Sequence, residues 1–358
     1  MKIETLAALA ARSDSLGEGE DGGGRMTRAP GTSYNELVRL EIALAAMESG
    51  AEAAVFSSGL AATTAVLQTL SPGDHVIASE QVHGGTRRLM TELMGHWGLE
   101  ISFVDTTHPD EVKVALRDKT RLVWVETPTS ATLQVTEISR IAATAHRAGA
   151  LCVVDNTSTT PVLQQPLLYR ADVVMHLTTS YLSGHGESRG GAVIVAENGP
   201  FFEQLRKVQA LAGAHLSSFD SWLICRGLSS LPQRMRAVCE TAEQIVTFLW
   251  GHPGVEAVYY PGLPEHPGHH VARAQMDGFG GRLSFTVAGG AEVAMVVSSA
   301  TRLITNDAPA GSPQSRIEHL ASIEVPGETP PENMLRLSVG LENPADLIKD
   351  IDGILPRP

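Results

Sequence analysis

Seven short apolar runs punctuate residues 52 to 195: EAAVF, HVIAS, ISFVD, RLVWVE, LCVVD, VVMHL and GAVIV. Helical stretches such as GLAATTAVLQTL, GGTRRLMTELMGH and ISRIAATAHRAG separate them. Successive residues of a strand point to opposite faces, so a run apolar at every position must be buried on both. The alternation therefore predicts βαβ units and a mainly parallel sheet with helices on its two sides. In such sheets ligands sit at the carboxyl ends of the strands, so chemistry is expected in the loops after these runs.

The flanking segments read differently. Gly22, Gly23, Gly24, Pro30 and Gly31 break any regular period near the N-terminus. NELVRLEIALAAME, Asn35 to Glu48, carries apolar residues at helical spacing. A long helical region is expected from Pro200 to His252, punctuated by Gly227 and Pro232. Beyond it VEAVYYPG, GRLSFTV, TRLIT and MLRLSVG are expected strands, with helices between them and at PADLIKDID. These elements predict a smaller α+β unit.

Charge and composition exclude several function classes. With 43% apolar and 19% charged residues the chain is globular rather than disordered. A net charge of −13 opposes nucleic-acid binding, which needs clustered Lys and Arg. No apolar run approaches the roughly 20 residues of a membrane span. MKIETLAALAARSDSLGEGEDGGG lacks the basic and apolar regions of a signal peptide. Cys152, Cys225 and Cys239 form no CxxC pair, which argues against a disulfide framework or a zinc site, and no metal is expected. A soluble, cytoplasmic protein with neither nucleic-acid nor membrane partners is the expectation. Lysine is scarce: Lys2, Lys113, Lys119, Lys207 and Lys349 are the full set.

Single motifs are weak. SSGLAA, Ser57 to Ala62, opens a helix after a strand and could cradle an anion, though small residues at helix starts are common. CVVDNT places Asp155 at the end of a buried strand, where an unpaired carboxylate is costly. A protonated heterocyclic nitrogen, an internal arginine or backbone amides would each serve as its partner.

The ordered series is far more specific. FSSGLAA, VHGGTRRL, VETPTSATLQV, VVDNTSTTPVLQQPL, RADVVMH, SYLSGHGESRGG, RGLSSLPQRM, YPGLPEHPGHHVARAQMDGFGG and LRLSVGLE follow one another. Over residues 35 to 352 the chain resembles the cystathionine γ-synthase, cystathionine γ-lyase and methionine γ-lyase family of Cys/Met metabolism. The resemblance implies a fold-type-I pyridoxal-phosphate (PLP) architecture of α/β class. Its large domain has a seven-stranded, mainly parallel sheet, beside a smaller α+β C-terminal domain. The implied division is a shortened N-terminal arm at 1–34, a large domain at 35–225, and a C-terminal domain with its linking helix at 226–358. The implied partners are a small amino-acid-like ligand and further copies of the chain, as a homodimer or homotetramer sharing active sites.

By the same resemblance, Gly59 and Leu60 match the backbone amides that hold the cofactor phosphate, and Thr179 matches a phosphate-binding hydroxyl. Asp155 matches the partner of the pyridinium nitrogen, which makes the ring an electron sink. Arg336 matches the arginine that takes the substrate α-carboxylate through a bidentate fork. Other positions depart. The family's Ser-x-Thr-Lys-Tyr stretch corresponds to Leu177-Thr178-Thr179-Ser180-Tyr181, so Ser180 stands at the Schiff-base lysine and Leu177 at a phosphate-binding serine. His83 replaces a ring-stacking tyrosine, and Ser130 an asparagine near the phenolic oxygen. The neighbouring subunit's Tyr-x-Arg becomes Ala29-Pro30-Gly31, and a Ser-Leu-Gly turn becomes Pro309-Ala310-Gly311.

Serine forms no imine, so these departures predict no covalently bound cofactor and leave noncovalent PLP open. Three functions are compatible with them. The preferred expectation is a divergent enzyme of specialised metabolism acting on an amino-acid-like or carboxylate substrate. Its catalytic candidates are His83, Ser180 and Tyr181, with Arg336 and Ser130 binding substrate. His83 titrates in the right range for a general base, or merely packs. His185 is read as structural, and Arg336 has an internal salt bridge as its competing account. The alternatives are an enzyme using noncovalent PLP, pyridoxamine phosphate or a preformed aldimine, and a noncatalytic ligand-binding or partner subunit.

Overall fold

The computed structural model describes residues 34–306, 310–323 and 330–357. All seven apolar runs form strands: β1 (Glu52–Phe56), β2 (His75–Ser79), β3 (Glu100–Val104), β4 (Thr120–Glu126), β5 (Leu151–Asp155), β6 (Val173–Leu177) and β7 (Gly191–Val195). They make one sheet in the order β1-β7-β6-β5-β4-β2-β3. The strands from β3 to β6 pair in parallel, while β7 lies antiparallel to both β6 and β1.

Burial on both faces explains the unbroken apolar runs. Val76, Ala78, Leu122, Trp124 and Val153 pack with residues of the helix Gly59–Leu67 on one side. Ile77, Val123, Val125, Cys152 and Val154 pack against the helix Ile138–Arg147 on the other. Each such side chain contributes about 1.5–3 kcal/mol on burial, so a shift of register by one residue gains nothing on either face. The helix Tyr34–Met47 buries Leu40, Leu44 and Met47 against Ala53 and Val55 of β1.

The helical region resolves into Pro200–Ala212, Ser218–Leu228 and Leu231–Trp250. Ser217 caps the second by accepting from the Asp220 amide at 3.0 Å. Pro232 enters the first turn of the third, where no N–H donor is needed.

A second, antiparallel sheet follows, with β8 (Val255–Tyr259), β9 (Arg282–Val287), β10 (Arg316–His319) and β11 (Met334–Ser338) in the order β10-β11-β9-β8. One face buries Leu283, Phe285, Ile317, Leu335 and Leu337 with residues of the Leu231–Trp250 helix. Alternation puts Arg282, Ser284, Arg316, Glu318, Arg336 and Ser338 on the opposite face. The expected strand TRLIT is not one. The Asp350 carboxylate accepts the amides of Arg302, Leu303 and Ile304, so they cannot feed a ladder, and Thr305 alone bridges to Arg316. The strand beside β11 is Arg316–His319 instead. Among the described residues no helix is long and apolar enough to cross a membrane.

Candidate active site

The carboxyl ends of β4, β5 and β6 face the polar side of the second sheet, and side-chain bonds join the two. Arg336 donates from Nη1 to Ser130 Oγ at 2.6 Å, in the loop after β4. Arg282 donates from Nη1 to Ser158 Oγ at 3.0 Å, in the loop after β5.

Asp155 closes β5 and is 7% exposed. Its Oδ1 accepts from the Thr157 amide at 3.0 Å and the Thr157 hydroxyl at 2.5 Å. Both bonds use Oδ1, so Oδ2 remains for a further donor. Thr157 Oγ1 in turn accepts from the Leu177 amide at 2.9 Å, tying the ends of β5 and β6 together. Beneath them lies a fully buried polar node. Glu48 Oε1 accepts from Asn156 Nδ2 at 2.8 Å and pairs with His176 Nε2 at 2.6 Å.

His83 stands after β2, its amide donating to Glu126 Oε2 at 2.6 Å. The imidazole packs over Gly85, where a Cβ would sit 3.1 Å from Cε1. The residue exposes surface to the open cleft, yet protein surrounds the ring. Burial pushes its pKa below the ordinary value; Asp155 and Glu318 oppose that shift, and Arg282 and Arg336 reinforce it. The balance favours the neutral imidazole.

Ser58 caps the helix Gly59–Leu67 through Ala61 at 3.0 Å, leaving the Gly59 and Leu60 amides at the free first turn. Leu177 packs onto this turn, since a Cβ on Gly59 would meet Leu177 Cδ1 at 2.9 Å. Thr179 Oγ1 accepts from the Gly190 amide at 3.2 Å and keeps its own proton to donate. Ser180 Oγ donates to the Ala310 carbonyl at 2.8 Å. Gly311, at φ +85°, covers the Ser180–Tyr181 peptide so closely that a Cβ would lie 2.5 Å from the Tyr181 amide. Tyr181 is buried, its phenol raised in pKa by burial and its hydroxyl without a partner.

Arg336 lies opposite Glu318 in register, and Nε and Nη2 both donate to Glu318 Oε2, at 3.1 and 2.9 Å. Glu318 also pairs with Arg316. His185 is exposed, with Nδ1 donating to the Ser183 carbonyl at 3.1 Å, and Lys207 lies exposed on the helix Pro200–Ala212. The structure thus gathers His83, Ser130, Asp155, Arg336 and the Gly59 turn, and leaves His185 and Lys207 elsewhere. Ala29-Pro30-Gly31, Pro309 and residues 1–33 of the arm at 1–34 lie outside the described residues.

Comparison with known proteins decides the relationship. The family described as Cys/Met metabolism PLP-dependent enzyme matches residues 24–355. The chain belongs to that family. It is 40% identical over 320 residues to cystathionine gamma-lyase of Bacillus subtilis (strain 168), covering 87% of this chain and 84% of the relative. It is 41% identical over 322 residues to cystathionine gamma-synthase of Mycobacterium bovis, covering 88% and 83%. The crystal structure of metB from Corynebacterium glutamicum superposes with a TM-score of 0.88 at 39% identity, covering 91% of this chain and 87% of that one.

These matches correct the expectation of a pocket without covalently bound cofactor. It rested on Ser180 and a few neighbouring positions, whereas the identity runs through nearly the whole chain to a family defined by PLP. The cleft fits that group at both ends: Asp155 Oδ2 is open to a ring nitrogen, and the Gly59 turn offers amides to a phosphate.

Glu318, Arg282, Thr157 and Glu126 were not singled out from the sequence. Reading RIEH as a strand against MLRLS would have placed Glu318 beside Arg336. The other three are joined to the cleft by bonds to distant or local backbone and side chains that no linear motif displays.

Proposed function

We propose that the protein is an amino-acid-transforming enzyme of the cystathionine-handling type, with its reaction centred between Asp155 and His83. The observation that supports this most is an imidazole held after β2 in the same cleft as a carboxylate with one open oxygen. PLP, when bound, would supply an electron sink for the substrate carbon. Asp155 would hold the protonated ring nitrogen, since Oδ2 is the oxygen Thr157 leaves open. Thr157 fixes Oδ1, so the carboxylate cannot turn away. His83 accepts and returns a substrate proton at an imidazole nitrogen, and the Glu126 contact to its amide sets its place. The second sheet is tied to the cleft through Ser130 and Ser158.

The test is turnover of L-cystathionine by purified protein supplied with PLP, followed by product analysis. Cystathionine-dependent product formation, lost by roughly 10²–10⁴-fold in His83→Ala, supports the reading. Absence of turnover with cystathionine, and of cystathionine synthesis in the reverse direction, overturns it.

A homodimer at minimum belongs to the same proposal. Leu211 is 90% exposed, and Phe219 and Trp222 stack at 6.0 Å on the outer side of the neighbouring helix. Such side chains gain by covering one another. Sedimentation should show at least a dimer at micromolar concentration; a monomer there refutes it.

A further inference from the structure

A cavity of about 220 Å³ opens at the outer edge of β10, the last strand of the second sheet. Arg316, Ile317 and Glu318 of that strand line it, together with Met295 of the helix Gly290–Ala300, Asn306 and Ile323. The chemistry proposed for the cleft uses neither Arg316 nor this space.

The charged groups of the wall are unequally spent. Glu318 gives Oε2 to Nε and Nη2 of Arg336, and Oε1 to Nη2 of Arg316. Both of its oxygens are taken. Arg316 engages Nη2 alone, and its side chain is 29% exposed. Its Nε is buried without a partner, whereas Nη1 is not shut off from solvent and has no hydrogen-bond partner among the described residues. His319 and Ser322, also on the wall, satisfy each other through Nδ1 and Oγ at 2.6 Å, and His319 Nε2 donates to the Glu332 carbonyl. The exposed Asn306 amide adds a second donor beside Arg316. One carboxylate thus serves two guanidinium groups, and the locality keeps a net positive charge in a chain whose total is −13.

An open guanidinium donor with positive charge in excess selects an anion, and a carboxylate matches its planar geometry. The rest of the wall is apolar. Met295 and Ile323 are exposed, and they gain by being covered with a hydrocarbon chain. A wholly hydrophilic anion would leave them in water. The volume falls below the roughly 300–1,000 Å³ of sites for drug-sized ligands, so the ligand is small.

We propose that the cavity at the β10 edge binds a small aliphatic monocarboxylate, its head on Arg316 and Asn306 and its chain against Met295 and Ile323. Arg336 keeps its bonds to Glu318 and Ser130, and the site does not depend on which reaction the cleft performs.

Titration calorimetry on the purified protein with butyrate, butyramide and acetate tests this. Butyrate should bind and butyramide should not. Acetate, two methylenes shorter, should bind roughly 10-fold more weakly. Arg316→Met should weaken butyrate by roughly 10–100-fold, the loss expected for a charge-assisted hydrogen bond. Met295→Glu sets a negative charge on the wall at an exposed helix position, where folding is not at risk, and should also weaken it. Glu318→Gln removes the carboxylate that competes for Arg316 and should tighten butyrate several-fold, a gain that misfolding does not produce. Arg336→Met should weaken it less than Arg316→Met does. Absence of butyrate binding, equal binding of butyramide or acetate, unchanged binding in Arg316→Met, Met295→Glu or Glu318→Gln, or a larger loss in Arg336→Met each overturns the proposal.

Discussion

Glu318 and Arg336 face each other across β10 and β11 as register partners, the glutamate accepting from Nε and Nη2 of the arginine through one oxygen. The pair is largely out of solvent, at 7% and 14% exposure. Arg316 holds the second carboxylate oxygen, so one glutamate serves two guanidinium groups. Neutralising it should leave both arginines uncompensated. Glu318→Gln should lower the Tm, and added succinate should restore more stability to the variant than to the wild type. Identical melting curves with and without the anion would show that the glutamate does not control the charge of this face.

His83 should govern the acid limb of the pH profile. Its pKa is pushed below 6.5, first by burial, so protonation of the base occurs at lower pH than for a free histidine. The base form then persists through pH 6.5, and kcat/KM should fall with a midpoint below that value as pH drops. In His83→Ala the residual rate should lose this limb. A midpoint above 6.5 would assign the limb to another group.

Asp155 should control retention of PLP. Added PLP should raise the Tm of the wild type, since a ligand that binds the native state stabilises it. Asp155→Ala removes the ring-nitrogen partner and should abolish most of that rise, and Asp155→Asn should retain part of it. Thermal melts with and without PLP measure this independently of turnover. An undiminished rise in Asp155→Ala would move the cofactor away from β5.

The buried node beneath the cleft should matter for stability. Glu48 holds Asn156 and His176 together, and both ends of the Glu48–His176 contact are essentially inaccessible to solvent. Removing one member of a buried hydrogen-bonded node leaves its partners unsatisfied, at about 1–3 kcal/mol for each. Glu48→Ala should therefore lower the urea midpoint substantially, with an unchanged m-value if unfolding stays two-state. A loss under 1 kcal/mol, on the order of a surface pair, would show that the node is not a structural anchor.

The first sheet was legible because its signal is local. Each strand is a run of apolar residues bounded by turn residues, and burial on both faces is what keeps the run unbroken. The loops at the strand ends could be located the same way, which brought out the Gly59 turn and Asp155, whereas His83 and Ser130 were marked only by the resemblance to the family. The second sheet was less legible at its edge. TRLIT has strand composition, but its amides are taken by Asp350, a residue 46 to 48 positions away.

By itself the sequence determined the fold class, the family and most positions that line the cleft, because hydrophobic periodicity and ordered motifs are properties of the chain. Tertiary structure decided what those side chains are free to do. Arg336 and Arg282 are both arginines on strands of one sheet. Pairing β10 with β11 sets Glu318 beside the first, while the loop after β5 gives the second a neutral hydroxyl. Charge compensation depends on distance in space, and residues 318 and 336 approach one another only when the antiparallel ladder forms.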